Sequence, residues 1–178
     1  MRLQSLSHLV TAIRALCVPR RIVILGSGAL LASFPEIGEE EGPLERTLDG
    51  DFLLDPTDER IAGLLKDAIG SESVFFDMHG YYADCLRPEI VETFPAGWEG
   101  RLVPFADYGD VFALEPYDVA LVKLVVGRGK DLALVRALLE SGRLEIARLE
   151  ARYRETPLVE PDMFRAGRNL HAVSRAGA

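Results

Sequence analysis

Asp49 and Asp51 stand two residues apart in the run Thr47-Leu48-Asp49-Gly50-Asp51-Phe52-Leu53-Leu54. Side chains on a strand alternate between faces, so both carboxylates point to the same side. Two such carboxylates resist joint ionisation unless a cation neutralises them. A divalent metal does this, and Mg2+ typically takes one or two carboxylates together with substrate phosphates. The pair also suits an exposed edge strand whose acids face water, and alone it does not choose. Upstream, Gly26-Ser27-Gly28 follows the apolar run Ile22-Val23-Ile24-Leu25 and precedes a short predicted helix, Ala29 to Phe34. A glycine turn there offers free backbone N–H groups at a helix start, which favours phosphate. Taken by itself the tripeptide is also a plain tight turn. A dinucleotide fingerprint fails, because its third glycine would fall at Leu31.

The two features gain meaning in sequence. A strand, a Gly-Ser turn, a helix and a second strand with alternating acids put a phosphate cradle and a metal site on neighbouring strand ends. That is the arrangement for holding a Mg2+–triphosphate.

The elements that must position these residues read as follows. Leu3, Leu6, Leu9, Val10, Ile13 and Leu16 recur at helical spacing, which predicts an amphipathic helix over the first residues rather than a signal peptide. Strands are predicted at Arg20 to Leu25, Arg46 to Leu54, Ser73 to Phe76, Tyr81 to Cys85, Arg101 to Phe105 and Val111 to Leu114. Helices are predicted from about Asp58 to Ile69, from Pro116 to Val126, from Asp131 to Leu139 and from Leu144 to Arg154. Pro116 suits a first helical position, and Asp131 reads as the cap of the helix it begins. The Arg-, Gly- and Ala-rich remainder is expected to be partly disordered near its end. The fold class is α/β: a mixed sheet flanked by helices. The expected division is an α/β domain over 1–142 and a helical extension over 143–178.

Apolar residues make up 48% of the 178, enough for a core without disulfides, and the two cysteines, Cys17 and Cys85, form no metal-binding pair. A reducing, cytoplasmic setting follows as the expectation. No apolar run is long enough to span a membrane. The net charge of −8 disfavours nucleic-acid binding through bulk electrostatics, although eight arginines against six acids from Arg136 onward leave a local basic surface open. Lys123 lies inside the apolar run Val119 to Val126, so it must reach solvent or find an anion. His79 has no partner visible in the sequence. Tyr81, Tyr82 and Trp98 read as packing residues that could line a base pocket.

The chain resembles the nucleotidyltransferase superfamily, whose pattern is a Gly-Gly or Gly-Ser turn followed by an acid-x-acid strand. More closely, it resembles a bacterial family of small nucleotidyltransferase-like proteins related to the AbiEii toxin group. The resemblance is carried by Leu25 to Ala29, Thr47 to Asp51, Gly80 to Asp84, Pro95 to Trp98 with Arg101 to Val103, and Leu114 to Asp118 through Lys123-Leu124, Arg128 and Lys130-Asp131. The segment between Gly28 and Asp49 is longer than in well-known members, and Gly50 replaces a usual strand hydrophobe.

The resemblance implies Mg2+-dependent transfer of a nucleoside monophosphate from an NTP to a hydroxyl acceptor. Asp49 and Asp51 would hold the metal, with Asp84 as the first candidate for a third carboxylate and Asp110 as the second. Gly26, Ser27 and Gly28 would hold the β- and γ-phosphates, with Lys123 and Arg128 as their cationic contacts. The acceptor is left open between RNA, a protein and a small molecule, and a homodimer is among the expected assemblies. The alternative is a catalytically degenerate fold that binds nucleotide or protein in a toxin–antitoxin-like system.

Overall fold

The computed structural model describes residues 1–39, 42–45 and 47–175. Two compact units emerge: Met1–Glu92 with Leu102–Leu114, and Thr93–Arg101 with the chain from Glu115 onward. The helical part therefore begins at Glu115, well before the expected boundary at 142.

The first unit is built on a five-stranded mixed sheet. Its strands are β1 (Arg21–Leu25), β2 (Asp49–Asp55), β3 (Tyr82–Cys85), β4 (Val103–Pro104) and β5 (Val111–Ala113). They lie in the order β3-β2-β1-β5-β4. β1 is antiparallel to β2 and parallel to β5; β2 is parallel to β3, and β4 is antiparallel to β5. The α/β class read from the sequence holds.

Helix α1 (Leu3–Leu16) buries the predicted stripe of Leu6, Leu9, Val10 and Ile13. It covers the sheet face that carries Gly50 and Phe52. A Cβ on Gly50 would stand 2.9 Å from both Leu9 Cδ1 and the Phe52 ring. That explains glycine at a place where a strand hydrophobe is usual: its neighbours already fill the space. Helix α2 (Glu59–Ile69) starts at Asp58, whose carboxylate accepts the Ile61 N–H at 2.8 Å.

Several elements differ from expectation. Ser73 to Phe76 is not a strand; α3 (Val74–His79) occupies that stretch. The Ser73 hydroxyl accepts the Phe76 N–H at 3.2 Å, and Gly80 closes the helix at φ +74°. Capping at both ends overrides the strand preference of two phenylalanines. The helix after Gly28 is a 3-10 segment, Gly28–Ala32, with another at Pro35–Gly38. β4 is reduced to Val103–Pro104, since Pro104 has no N–H for a longer ladder. Arg46, expected to open β2, lies outside the described residues.

The second unit consists of a 3-10 turn, Trp98–Arg101, and helices α4 (Pro116–Val126), α5 (Gly129–Glu140), α6 (Ile146–Glu155) and α7 (Glu160–Ser174). α4 packs against all three others and is buried on most of its surface. Its first residue is Pro116, as predicted, and Glu115 caps it by accepting the Tyr117 and Asp118 N–H groups at 3.0 and 3.2 Å. α7 was not foreseen. It buries Ala166, Asn169, Leu170 and Val173, and Asn169 donates to the Leu124 carbonyl at 2.8 Å. The chain end beyond Arg175 lies outside the described residues. No helix among the described residues is long and apolar enough to cross a membrane.

Candidate functional site

The β1–β2 ladder places Leu25 opposite Asp51, so Gly26 begins the turn beside the Asp51 carboxylate. Gly26 has φ +57°, a conformation that side chains disfavour, and a Cβ there would clash with Asp51 Oδ2. Turn and carboxylate are thus in direct contact, on the same side of the sheet. Gly28 plays a different part. Its missing Cβ would face Leu6 and Ile24 at 3.6 and 3.8 Å, so it packs against the core.

On the other side of β2, the parallel ladder pairs Asp49 with Tyr82 and Asp51 with Asp84. Residues opposite each other in a ladder share a face, as do residues two apart along a strand. Asp49, Asp51, Tyr82 and Asp84 therefore form one patch. Asp49 and Asp51 are half-buried and Asp84 is exposed. Partial burial, then the charges of Asp49, Asp84 and Asp51, hold the Tyr82 phenol above its ordinary pKa. The ring is fixed edge-on by Phe76, with centroids 5.3 Å apart.

Among the described residues, no three His, Cys, Asp or Glu side chains stand close enough to enclose a metal ion by themselves. The donor set nonetheless fits Mg2+. It consists of carboxylate oxygens, and Mg2+ completes its octahedron with water and substrate phosphates rather than a protein cage.

Asp110, the second candidate for a third carboxylate, is placed elsewhere. Its carbonyl accepts the Ile22 N–H at 2.9 Å, at the opposite end of β1 from Gly26, and its carboxylate pairs with Arg14. His79 does have partners: its ring lies 4.5 Å from Phe75 and 4.8 Å from His8, which in turn meets the Tyr81 hydroxyl at 2.7 Å. This is a packing cluster between α1 and α3.

All but the first residue of the most specific stretch of the sequence, Leu114 to Asp131, serves the helical unit. Asp118 is fully buried and accepts two bonds from Arg101, at 3.0 and 3.1 Å, and a further one from Arg152. Arg152 also reaches Glu115 at 3.1 Å. Lys123 neither snorkels nor stands free. It is 7% exposed, and its ammonium donates to Asp131 Oδ1 at 3.0 Å. Arg128 donates to the other Asp131 oxygen at 2.6 Å. The anion that Lys123 requires is Asp131, eight residues on. Asp131 is accordingly not the α5 cap; Arg128 holds that position, and Asp131 lies in the first turn. Burial alone would raise the Asp131 pKa, but the hydrogen bond from Arg128 and the charge of Lys123 pull it below the ordinary value.

Sequence reasoning did not identify a groove of about 300 Å3 along the free edge of β3, lined by Gly63, Lys66, Ser71, Tyr82 and Asp84 among others. Its signal was faint: a glycine and a lysine at one-turn spacing on α2.

Neither a curated protein nor a solved structure matches the chain. A family model does, over residues 2–166, covering both the carboxylate strands and most of the helical unit. The chain belongs to the family described as nucleotidyltransferase of unknown function (DUF6036).

Proposed function

We propose that the chain transfers a nucleoside monophosphate from a Mg2+-bound NTP to a hydroxyl acceptor. The observation that carries this reading is the ladder register. It sets Asp84 directly across from Asp51, while the Gly26 turn abuts Asp51 from the other side. Asp84, Asp51 and the glycine turn then lie in line across neighbouring strand ends, with Asp49 two residues along β2 on the same face.

Mg2+, when bound, would neutralise the phosphate charge and polarise the α-phosphorus. Asp49 and Asp51 would hold it, with Asp84 as the next carboxylate on the β3 side and water and phosphate oxygens as the remaining donors. The Gly26-Ser27 backbone would fix the β- and γ-phosphates. An acceptor oxygen forms a bond to the α-phosphorus as the bond to the β-phosphate oxygen breaks. Pyrophosphate departs, and the acceptor's proton passes to the nearest carboxylate. The contribution of the residues is positioning and preorganised charge. Lys123 and Arg128 are assigned here to the helical unit through Asp131, not to the phosphates. The free thiols Cys17 and Cys85 suit a reducing, cytoplasmic setting.

Calorimetric titration of each NTP with and without Mg2+ tests the reading. Binding should require Mg2+ and weaken at least about tenfold in Asp51→Asn, the scale of losing one charge-assisted contact. Mg2+-independent binding, or binding untouched by Asp51→Asn, contradicts it. Mg2+-dependent binding without pyrophosphate release would favour the second reading, a catalytically degenerate fold that binds nucleotide or a protein partner. The spacing of the carboxylates, too wide for a closed three-ligand site, is what favours that reading.

A further inference from the structure

The line of functional groups across the sheet has two ends. At the β1 end stands the Gly26 turn. At the β3 end the carboxylate patch opens into the groove between β3 and α2, because Tyr82 and Asp84 belong to both. If the triphosphate occupies the turn side, the acceptor has the groove side.

Two features of the groove point to a ligand. Gly63 lies inside α2, where glycine weakens a helix relative to alanine. Packing does not require it: a Cβ on Gly63 would meet nothing within 4 Å. Its effect is to keep the groove wall low. Lys66, one turn further on, is exposed, and no carboxylate pairs with it among the described residues. A cation beside an acidic patch that leaves those acids alone is free to meet an anion from solution. Tyr82 supplies a flat wall and Ser71 a hydroxyl. A volume of about 300 Å3 is at the small end of ligand pockets. A net charge of −8 disfavours a long polyanion.

We infer that this groove receives the acceptor, and that the acceptor is a small hydroxyl compound carrying a phosphate monoester. Its phosphate meets Lys66, its ring lies against Tyr82, and its hydroxyl is presented at Asp84. The inference rests on the nucleotidyltransferase reading above.

The test uses the full chain saturated with Mg2+ and an α,β-methylene NTP analogue, so that the donor position is filled. AMP and ribose 5-phosphate are then titrated as probes, against wild type, Lys66→Glu and Gly63→Phe. A Cβ at position 63 meets no protein atom within 4 Å, and the unchanged affinity for the Mg2+ analogue together with an unchanged urea midpoint checks that the Gly63→Phe fold is retained. At least one probe should bind, and both variants should weaken it tenfold or more while the affinity for the Mg2+ analogue changes less than twofold. AMP binding alone identifies a nucleotide acceptor; equal binding of both probes identifies a sugar phosphate, and either result supports the groove. The inference is overturned if the analogue binds but neither probe does, or if the variants leave probe binding unchanged. It is also overturned if a single-stranded oligoribonucleotide displaces AMP at a hundredfold lower concentration. Failure of the Mg2+ analogue itself to bind removes the underlying reading, a result distinct from loss of the probes alone.

Discussion

At the scale of single residues, the chemistry is set by what each charged group faces. Tyr82 faces three carboxylates, and their charge adds to burial in keeping its phenol protonated. A cation among those carboxylates removes part of that effect. Adding Mg2+ should therefore lower the pH at which Tyr82 ionises, read as the ultraviolet phenolate signal missing in Tyr82→Phe. A Mg2+-insensitive titration would place the metal elsewhere. Lys123 faces Asp131, inside the helical unit. Breaking a buried pair costs roughly 3–5 kcal/mol, and Lys123→Met should fall near the lower end because Arg128 still holds the carboxylate. Urea unfolding should show that loss, while calorimetric NTP affinity stays unchanged; the reverse result would restore Lys123 as a phosphate contact. The shared face of Asp49 and Asp51 was legible in the sequence, because strand period alone dictates it. The partner of Asp51 was not. That Asp84 stands opposite it depends on the register between strands separated by two helices, and no local rule fixes that register. For Lys123, the local rule left a choice between solvent and an anion, and it could not name Asp131 as that anion.

At the scale of elements, local signals worked where backbone chemistry was decisive. Pro116 after a carboxylate marks the start of α4, and the spacing of Leu6, Leu9, Val10 and Ile13 marks the buried stripe of α1. Those signals misled where side-chain preference competed with capping, as at α3, where Ser73 and Gly80 outweigh Phe75 and Phe76. α7 went unread because its arginines and glycine suggested disorder, although Gly167 has a packing reason. A Cβ there would meet the Tyr153 hydroxyl at 2.7 Å. The junction of α4 and α5 carries a pH dependence. Asp131 has its folded pKa lowered below 3.8, so it stabilises the fold above that pH. The contribution is lost as pH falls through the lowered, folded value. The wild-type urea midpoint should drop between neutral pH and the acid side of 3.8 more steeply than that of Asp131→Asn, which should start lower and vary less. Parallel curves would mean that the Lys123–Asp131–Arg128 group is not coupled to folding.

At the scale of the molecule, the family signature divides its labour. In the sheet unit, Gly26, Asp51 and Asp84, with Asp49 beside them on β2, form the patch to which we assign the chemistry. In the helical unit, Glu115, Asp118, Lys123 and Asp131 hold helices together through Arg101, Arg128 and Arg152. The most recognisable part of the sequence is thus the part that builds, while the proposed reacting patch rests on three short strands and one turn. Fold class was legible because the order of strands and helices encodes it; a fold alone does not establish turnover. The most direct measurement is pyrophosphate release from each NTP in the presence of Mg2+, for wild type, Asp51→Asn and Asp84→Asn. Wild type should release pyrophosphate with at least one NTP, and both variants should lose that release by roughly a hundredfold or more, the scale of removing a group that acts at the transition state. Release that persists in both variants would contradict the carboxylate site, and no release from wild type with any NTP, even with AMP or ribose 5-phosphate supplied, would contradict the transferase itself.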